Sequence, residues 1–477
     1  MKGLVRLITG GRLVSTVVMP ILLGALVSCA FLCDLTRALP LPDFGFYAYP
    51  WWPAITVGAM LLVLSLMYLL VTRLGLLFRL RNELAVAMCI VPAALTGFNL
   101  GRLDLGDLAI LSLTIFWVST TLVEHRSIHT PLPMLCFLAM LVFFVCASVI
   151  NGWFTSLVAI HTIFTKILLL FLISNILVTP RLHDLAVRML IFIAAVSALV
   201  AIGSEVLYLT SGIEFTFDDL RNEHHKDTPI GTMLRVTAFL PGTQSLAHLL
   251  ILAASLSLFV PMSLTKRLIL LSLFMLGTTL TFSAGGFLSI AVVLVVSLFI
   301  RHPHRAPVYL ACLSGASLLL YVSGALTWLY EKVVIPVSGA GVQDRLEYVR
   351  IGLHAVERHP LLGGGFKNIR RVLNTTIHNA YLQTSADIGL IGGAVFTMMI
   401  GYLTVACGAL ILQARTQADR NLLKGCFLGM IGVCVHFAVE PFYDNLASWM
   451  FLGLITSTLV VYSDARPMVK GNDADAA

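Results

Sequence analysis

The residues best able to do chemistry lie where polar stretches meet apolar runs. In TTIHNAYLQTSADIGLIGG, His378 and Asn379 stand where the chain turns apolar. An asparagine there can cap a helix start, and an imidazole beside it at a water–membrane boundary can take up or release a proton near neutral pH. Upstream, QDRLEYVRIGLHAVERHP mixes Leu346, Val349, Ile351, Leu353 and Val356 with polar positions at helical intervals, and sets Arg350, His354 and Arg358 at i, i+4 and i+8 along one face. The pattern predicts an amphipathic helix lying on the outer membrane surface with its cations toward lipid phosphates. Pro360 ends it, and LLGGGF supplies a flexible turn whose bare backbone can approach a ligand closely. Residues 329–378 hold seven Lys and Arg side chains against four acidic ones, with Arg370 and Arg371 near His378.

Other candidates are single residues. Lys166, in HTIFTKILLLFL, falls within an apolar run, where a charge is costly and marks either a functional group or an interhelical partner. Glu205 lies toward the end of the next run. In the polar stretch 209–244, Asp218, Asp219, His224 and His225 lack the regular spacing of a metal site and read as solvated loop charge, so no metal is expected. Arg235 stands immediately ahead of an apolar run.

The elements that must hold these groups follow from composition. The 477 residues are 58% hydrophobic and only 12% charged, with a mean hydropathy of +0.93. That balance excludes an ordinary soluble domain and leaves little chain for a separate catalytic one. Apolar windows near 13–33, 54–72, 84–100, 107–123, 132–150, 156–178, 183–208, 245–263, 267–284, 286–300, 306–328, 379–412, 421–439 and 445–463 predict an all-α polytopic membrane protein of about 14 transmembrane helices. Every second connection is basic, as at Arg73, Arg126, Arg181, Lys266 and Arg267, Arg301 and Arg305, and Arg415 to Lys424. By the positive-inside bias both termini are then cytoplasmic, and the long connections 209–244 and 329–378 lie outside. The net charge of +7 is explained by those connections, so a nucleic-acid partner is not expected. The nine cysteines lie in or at the ends of apolar runs without a close pair and read as small core residues.

Taken in order, RVTAFLPGTQSLAHLL, LTFSAGGFLSIAVVLV, DRLEYVRIGLHAVERHPLLGGGF and HNAYLQTSADIGLIGG resemble the O-antigen ligase and polymerase superfamily of bacterial surface-polysaccharide assembly. The resemblance covers roughly residues 235–460 and divides the chain into an N-terminal bundle over 1–234, a ligase/polymerase-like membrane domain over 235–463 and a cytoplasmic tail over 464–477. It implies a fold like that of C-type membrane glycosyltransferases, with the amphipathic helix in a periplasmic loop. It further implies a metal-independent enzyme that needs no cofactor and takes an undecaprenyl-diphosphate-linked glycan as donor. His378 would be catalytic, and Arg235 and Arg345 would bind phosphate. Relatives commonly have Ser-Arg where this chain has Ser283-Ala284, so either another cation such as Arg350 or Arg371 substitutes or the donor geometry differs. Asn379 and Lys166 complete the expected substrate contacts.

The function expected is polymerisation of lipid-linked repeat units into exopolysaccharide or O-antigen at the periplasmic face of the inner membrane. The alternatives are a ligase that passes finished glycan to lipid A core and, from another class, a flippase or exporter of lipid-linked glycan. Membrane lipid, a flippase and a chain-length regulator are the expected partners.

Overall fold

Capping residues and apolar length together set the helices. The computed structural model describes residues 85–463 except 88, 92–98, 101–102, 105–109, 111, 119–120, 122–127, 152–153, 213–224, 229–230, 241, 325–341, 366–368, 370–376 and 442–444. The expected spans at 13–33 and 54–72, both tails, Arg371, Asp218, Asp219 and His224 lie outside the described residues, and those at 84–100 and 107–123 lie partly outside.

The described helices are α1 (Leu132–Ile150), α2 (Phe154–Ile176), α3 (Pro180–Ser211), α4 (Thr243–Ser257), α5 (Leu264–Leu280), α6 (Ala284–Arg301), α7 (Ala306–Val322), α8 (Val342–Arg358), α9 (Ala380–Gln413), α10 (Gln417–Val439) and α11 (Leu446–Ser463). Short polar side chains start several of them. Ser263 accepts from the Lys266 amide, Ser283 from Gly286, Asn379 from Leu382 and Thr416 from Asp419, each satisfying an amide that has no partner within its helix. Among the described residues α1, α3, α6, α9 and α10 are long and apolar enough to cross a membrane, while α2, α4 and α11 contribute shorter apolar runs. The chain is therefore a multi-pass helical membrane protein.

Among the described residues the helical expectation is departed from at two hairpins and at a break inside α9. Two small antiparallel hairpins occur, β1 (Asn99–Leu100) with β2 (Leu103–Asp104) and β3 (His225–Thr228) with β4 (Gly231–Leu234). The second lies inside the stretch read as a loop, and α3 continues into that stretch as far as Ser211.

Helix α4 is the axis. Every residue from Ser245 to Ser257 is buried, the pattern of a helix enclosed on all sides, and it packs against α3, α5, α6, α10 and α11. Around it α10 packs on α6 and α9, α9 on α1, and α2 on α1 and α11. At one end the last carbonyls of α4 are met by guanidinium groups. Arg267 donates to the Ser257 and Val260 carbonyls at 3.2 Å each, and Arg301 donates to the Leu258 carbonyl at 2.5 Å. Cations at a helix C-terminus satisfy orphan carbonyls and oppose the dipole. Leu256, one turn away, touches Gly425 near the start of α10, so the basic connections gather at this end.

At the other end α9 is not one helix. Ile388 and Gly389 leave helical geometry, Gly389 with φ +75°, and the LLGGGF turn fills the interruption. Gly364 and Gly365 donate to the Ala386 and Asp387 carbonyls, and Leu390 donates to the Pro360 carbonyl. This corrects the expectation that the bare glycines face a ligand: they face backbone. A Cβ on Gly363 would lie 2.4 Å from the Asp387 carbonyl carbon, and one on Gly389 would lie 2.0 Å from the Leu361 oxygen. Asn151, just past α1, ties the turn down by donating to the Gly363 carbonyl at 3.1 Å.

Candidate active site at the start of α9

The broken helix gives His378 a short, pinned platform in residues 380–388. The Ile377 amide donates to the Gln383 side-chain oxygen at 3.2 Å, and Gln383 donates in turn to Asp387 at 3.0 Å. The chain entering His378 is thus held from beneath by buried polar groups. Asn379 caps the platform and reaches across to donate to the Ala438 carbonyl at 3.0 Å. Tyr381 donates to the Cys434 carbonyl at 3.3 Å. Both carbonyls belong to the last turns of α10, so the start of α9 is fastened along the end of α10.

Beyond that end stands Glu440. Its carboxylate lies 3.4 Å from His378 Nδ1, with side-chain exposures of 4% for the glutamate and 34% for the histidine. The pair therefore joins a sheltered carboxylate to an imidazole that water or a ligand can reach. Tyr348 of α8 flanks the ring, with centroids 5.5 Å apart. On its other side Glu440 meets the first turn of α6, where a Cβ on Gly285 would fall 2.8 Å from Glu440 Cγ and 3.2 Å from Oε1. Only glycine admits this approach, which sets a carboxylate at a helix N-terminus where partial positive charge favours it.

The same turn between α5 and α6 leads to Arg235. The Val236 amide donates to the Leu280 carbonyl at 3.2 Å, and the Leu234 amide donates to Glu205 at 3.1 Å. The arginine is thus clamped on both sides, and its guanidinium donates to Thr243, the first residue of α4, at 3.2 Å. Ala238 and Phe282 both take positive φ near 50°, a conformation that costs a non-glycine residue about 1 kcal/mol or more. Strain on both strands of this junction shows that surrounding contacts dictate its shape.

Of the residues expected at a site, His378 reaches the Leu280–Gly286 turn through Glu440, which lies against Gly285, Asn379 is tied to the end of α10, and Arg235 adjoins the turn through the Val236 amide on Leu280. Arg345 lies in the first turn of α8, and exposed Arg350 on the same helix faces Glu347 at 3.9 Å. Arg358 and His354 are exposed as well. Helix α8 docks on the platform through Gly352, whose missing Cβ leaves room for Ile377 and Leu382, and through Val356. Lys166 is elsewhere, half-buried on α2, whose main neighbours are α1 and α11. Ala284 opens α6 directly behind the capping Ser283, so the position lacking the expected cation adjoins the turn against Glu440. Glu440 itself was not anticipated. Its only signal is an acid directly before proline at the mouth of an apolar run, in HFAVEP.

A polar, partly open site at one end of a multi-pass helical bundle is the class that fold and geometry define. Residues 269–397 match the family described as O-Antigen ligase, so this part of the chain is similar to the O-antigen ligase and polymerase superfamily. The match runs from α5 across the break in α9, and so contains His378 but neither Arg235 nor Glu440. A comparison with curated proteins finds no match.

Proposed function

We propose that the protein transfers glycan from an undecaprenyl diphosphate carrier to a sugar hydroxyl, and that it acts as a polymerase of repeat units at the periplasmic face of the inner membrane. The observation that carries the reading is the pairing of partly exposed His378 with sheltered Glu440. With the Nδ1 hydrogen directed to the carboxylate, Nε2 presents a lone pair that can take the proton of an attacking hydroxyl. The bond from the anomeric carbon to the diphosphate breaks as the bond to the acceptor oxygen forms, and the leaving diphosphate gains charge. Arg235, whose guanidinium is oriented by its bond to Thr243, suits that charge through paired hydrogen bonds. Arg345 and Arg350 on α8 are the further phosphate or glycan contacts.

The ligase reading keeps one specific support, the description of the matched family. The two share a donor and differ in acceptor. Polymerase is the reading preferred on the count of apolar windows, about 14, which is about two more than expected of a ligase. Purified protein in proteoliposomes, supplied with lipid-linked repeat units, tests the proposal. Lengthened chains on the carrier support polymerase, and glycan moved onto an added lipid A core acceptor selects ligase. Movement of intact lipid-linked unit across the bilayer with no new glycosidic bond refutes transfer.

A further inference from the structure

Behind the site lies a second histidine pair that transfer chemistry does not use. His248 of α4 and His436 of α10 are 1% and 2% exposed, and their Nδ1 atoms are 3.0 Å apart. One must bring a hydrogen and the other a lone pair, so the contact is directional and fixes both rings. His248 continues through Nε2 to Ser448 Oγ of α11 at 3.2 Å, and its ring stacks on Phe437 with centroids 5.9 Å apart. His436 Nε2 has no hydrogen-bond partner among the described residues. A buried polar atom left unmet is costly, and a leucine here would avoid that cost. The array is thus poorly explained as packing, and its place suggests another use. It ties the last turn of α10 to the central axis, and through His248 that axis is tied in turn to α11. The last two turns of α10 and the residue after them supply the three contacts of the α9 start: Cys434 to Tyr381, Ala438 to Asn379 and Glu440 to His378.

We propose that His248, His436 and Ser448 are positioning residues that set the end of α10, and through it hold Glu440 against His378. The catalytic consequence rests on the transfer reading above; the mechanical one does not. In full-length protein in nanodiscs, His436→Leu is expected to speed amide hydrogen exchange over 377–386 and 434–441 by roughly tenfold while α3 and α5 keep wild-type protection. His436→Asn, whose amide nitrogen can stand near the Nδ1 position, is expected to restore wild-type exchange. Ser448→Ala, the milder change should leucine not fold, is expected to move the same two segments less. In the transfer assay His436→Leu lowers kcat about tenfold with donor KM within about twofold, and asparagine recovers it. Unchanged exchange over 377–386, loosening spread evenly through the chain, or an asparagine variant no better than leucine each overturns the proposal. A wild type that transfers nothing refutes the functional reading, and the exchange pattern still decides this one.

Discussion

His378 and Arg235 are asked for different work, and substitution separates the two. If His378 takes the acceptor proton, His378→Ala should slow transfer on the order of 10²–10⁴-fold with donor binding little changed. Asparagine at 378 keeps hydrogen bonding but takes no proton at neutral pH, so a His378→Asn protein within a few-fold of wild-type turnover would leave only a structural role. Arg235→Lys keeps charge and loses the fork; loss of one charge-assisted contact predicts roughly 10–100-fold lower kcat/KM. Unaltered kinetics at equal membrane abundance would remove Arg235 from the donor site. Glu205 acts one step behind it by accepting the Leu234 amide.

On the scale of elements, the helix break and the glycine turn form one unit. Gly389→Ala combines φ +75° with a Cβ 2.0 Å from a backbone oxygen, and is expected to cost about 2 kcal/mol or more. Gly401→Ala, in the same helix with nothing within 4 Å, should be neutral or stabilising by up to about 1 kcal/mol. Thermal denaturation of the two variants in detergent checks the contrast, and equal Tm values would refute the account of the break. The break also marks the limit of what sequence reading reaches. Apolar windows locate α1, α3, α6, α10 and α11 closely because burial in lipid demands long apolar runs. A window passes over Gly389 without notice because Ile388, Leu390 and Ile391 are as apolar as a continuous helix requires. His378, Asn379 and Arg235 are legible because each is polar beside an apolar run. Glu440 and the His248–His436 pair are not, because their meaning comes from partners 62 and 188 residues away, and such distances leave no local periodicity.

For the whole molecule, the stapled end of α4 and the His378 end lie on opposite sides of the bundle. The positive-inside bias then predicts that Arg267, Arg301 and the 302–305 connection face the cytoplasm while α8 and His378 face outward. His304 and His359 are both exposed, so His304→Cys and His359→Cys, each on a cysteine-free background, provide the measurement. In intact spheroplasts an impermeant thiol reagent should label position 359 at once and position 304 only after lysis. Labelling in the reverse order would invert the topology and move the proposed chemistry to the cytoplasmic face.

The arginine staple bears on biogenesis. The carbonyls of Ser257, Leu258 and Val260 are met by side chains that the ribosome delivers later, first Arg267 and then, 34 residues further on, Arg301. Until α6 has been synthesised, α4 carries an incompletely satisfied C-terminus. The three helices are therefore expected to leave the insertion machinery as one hairpin-and-return unit, with the central axis of the bundle completed only when its third member arrives.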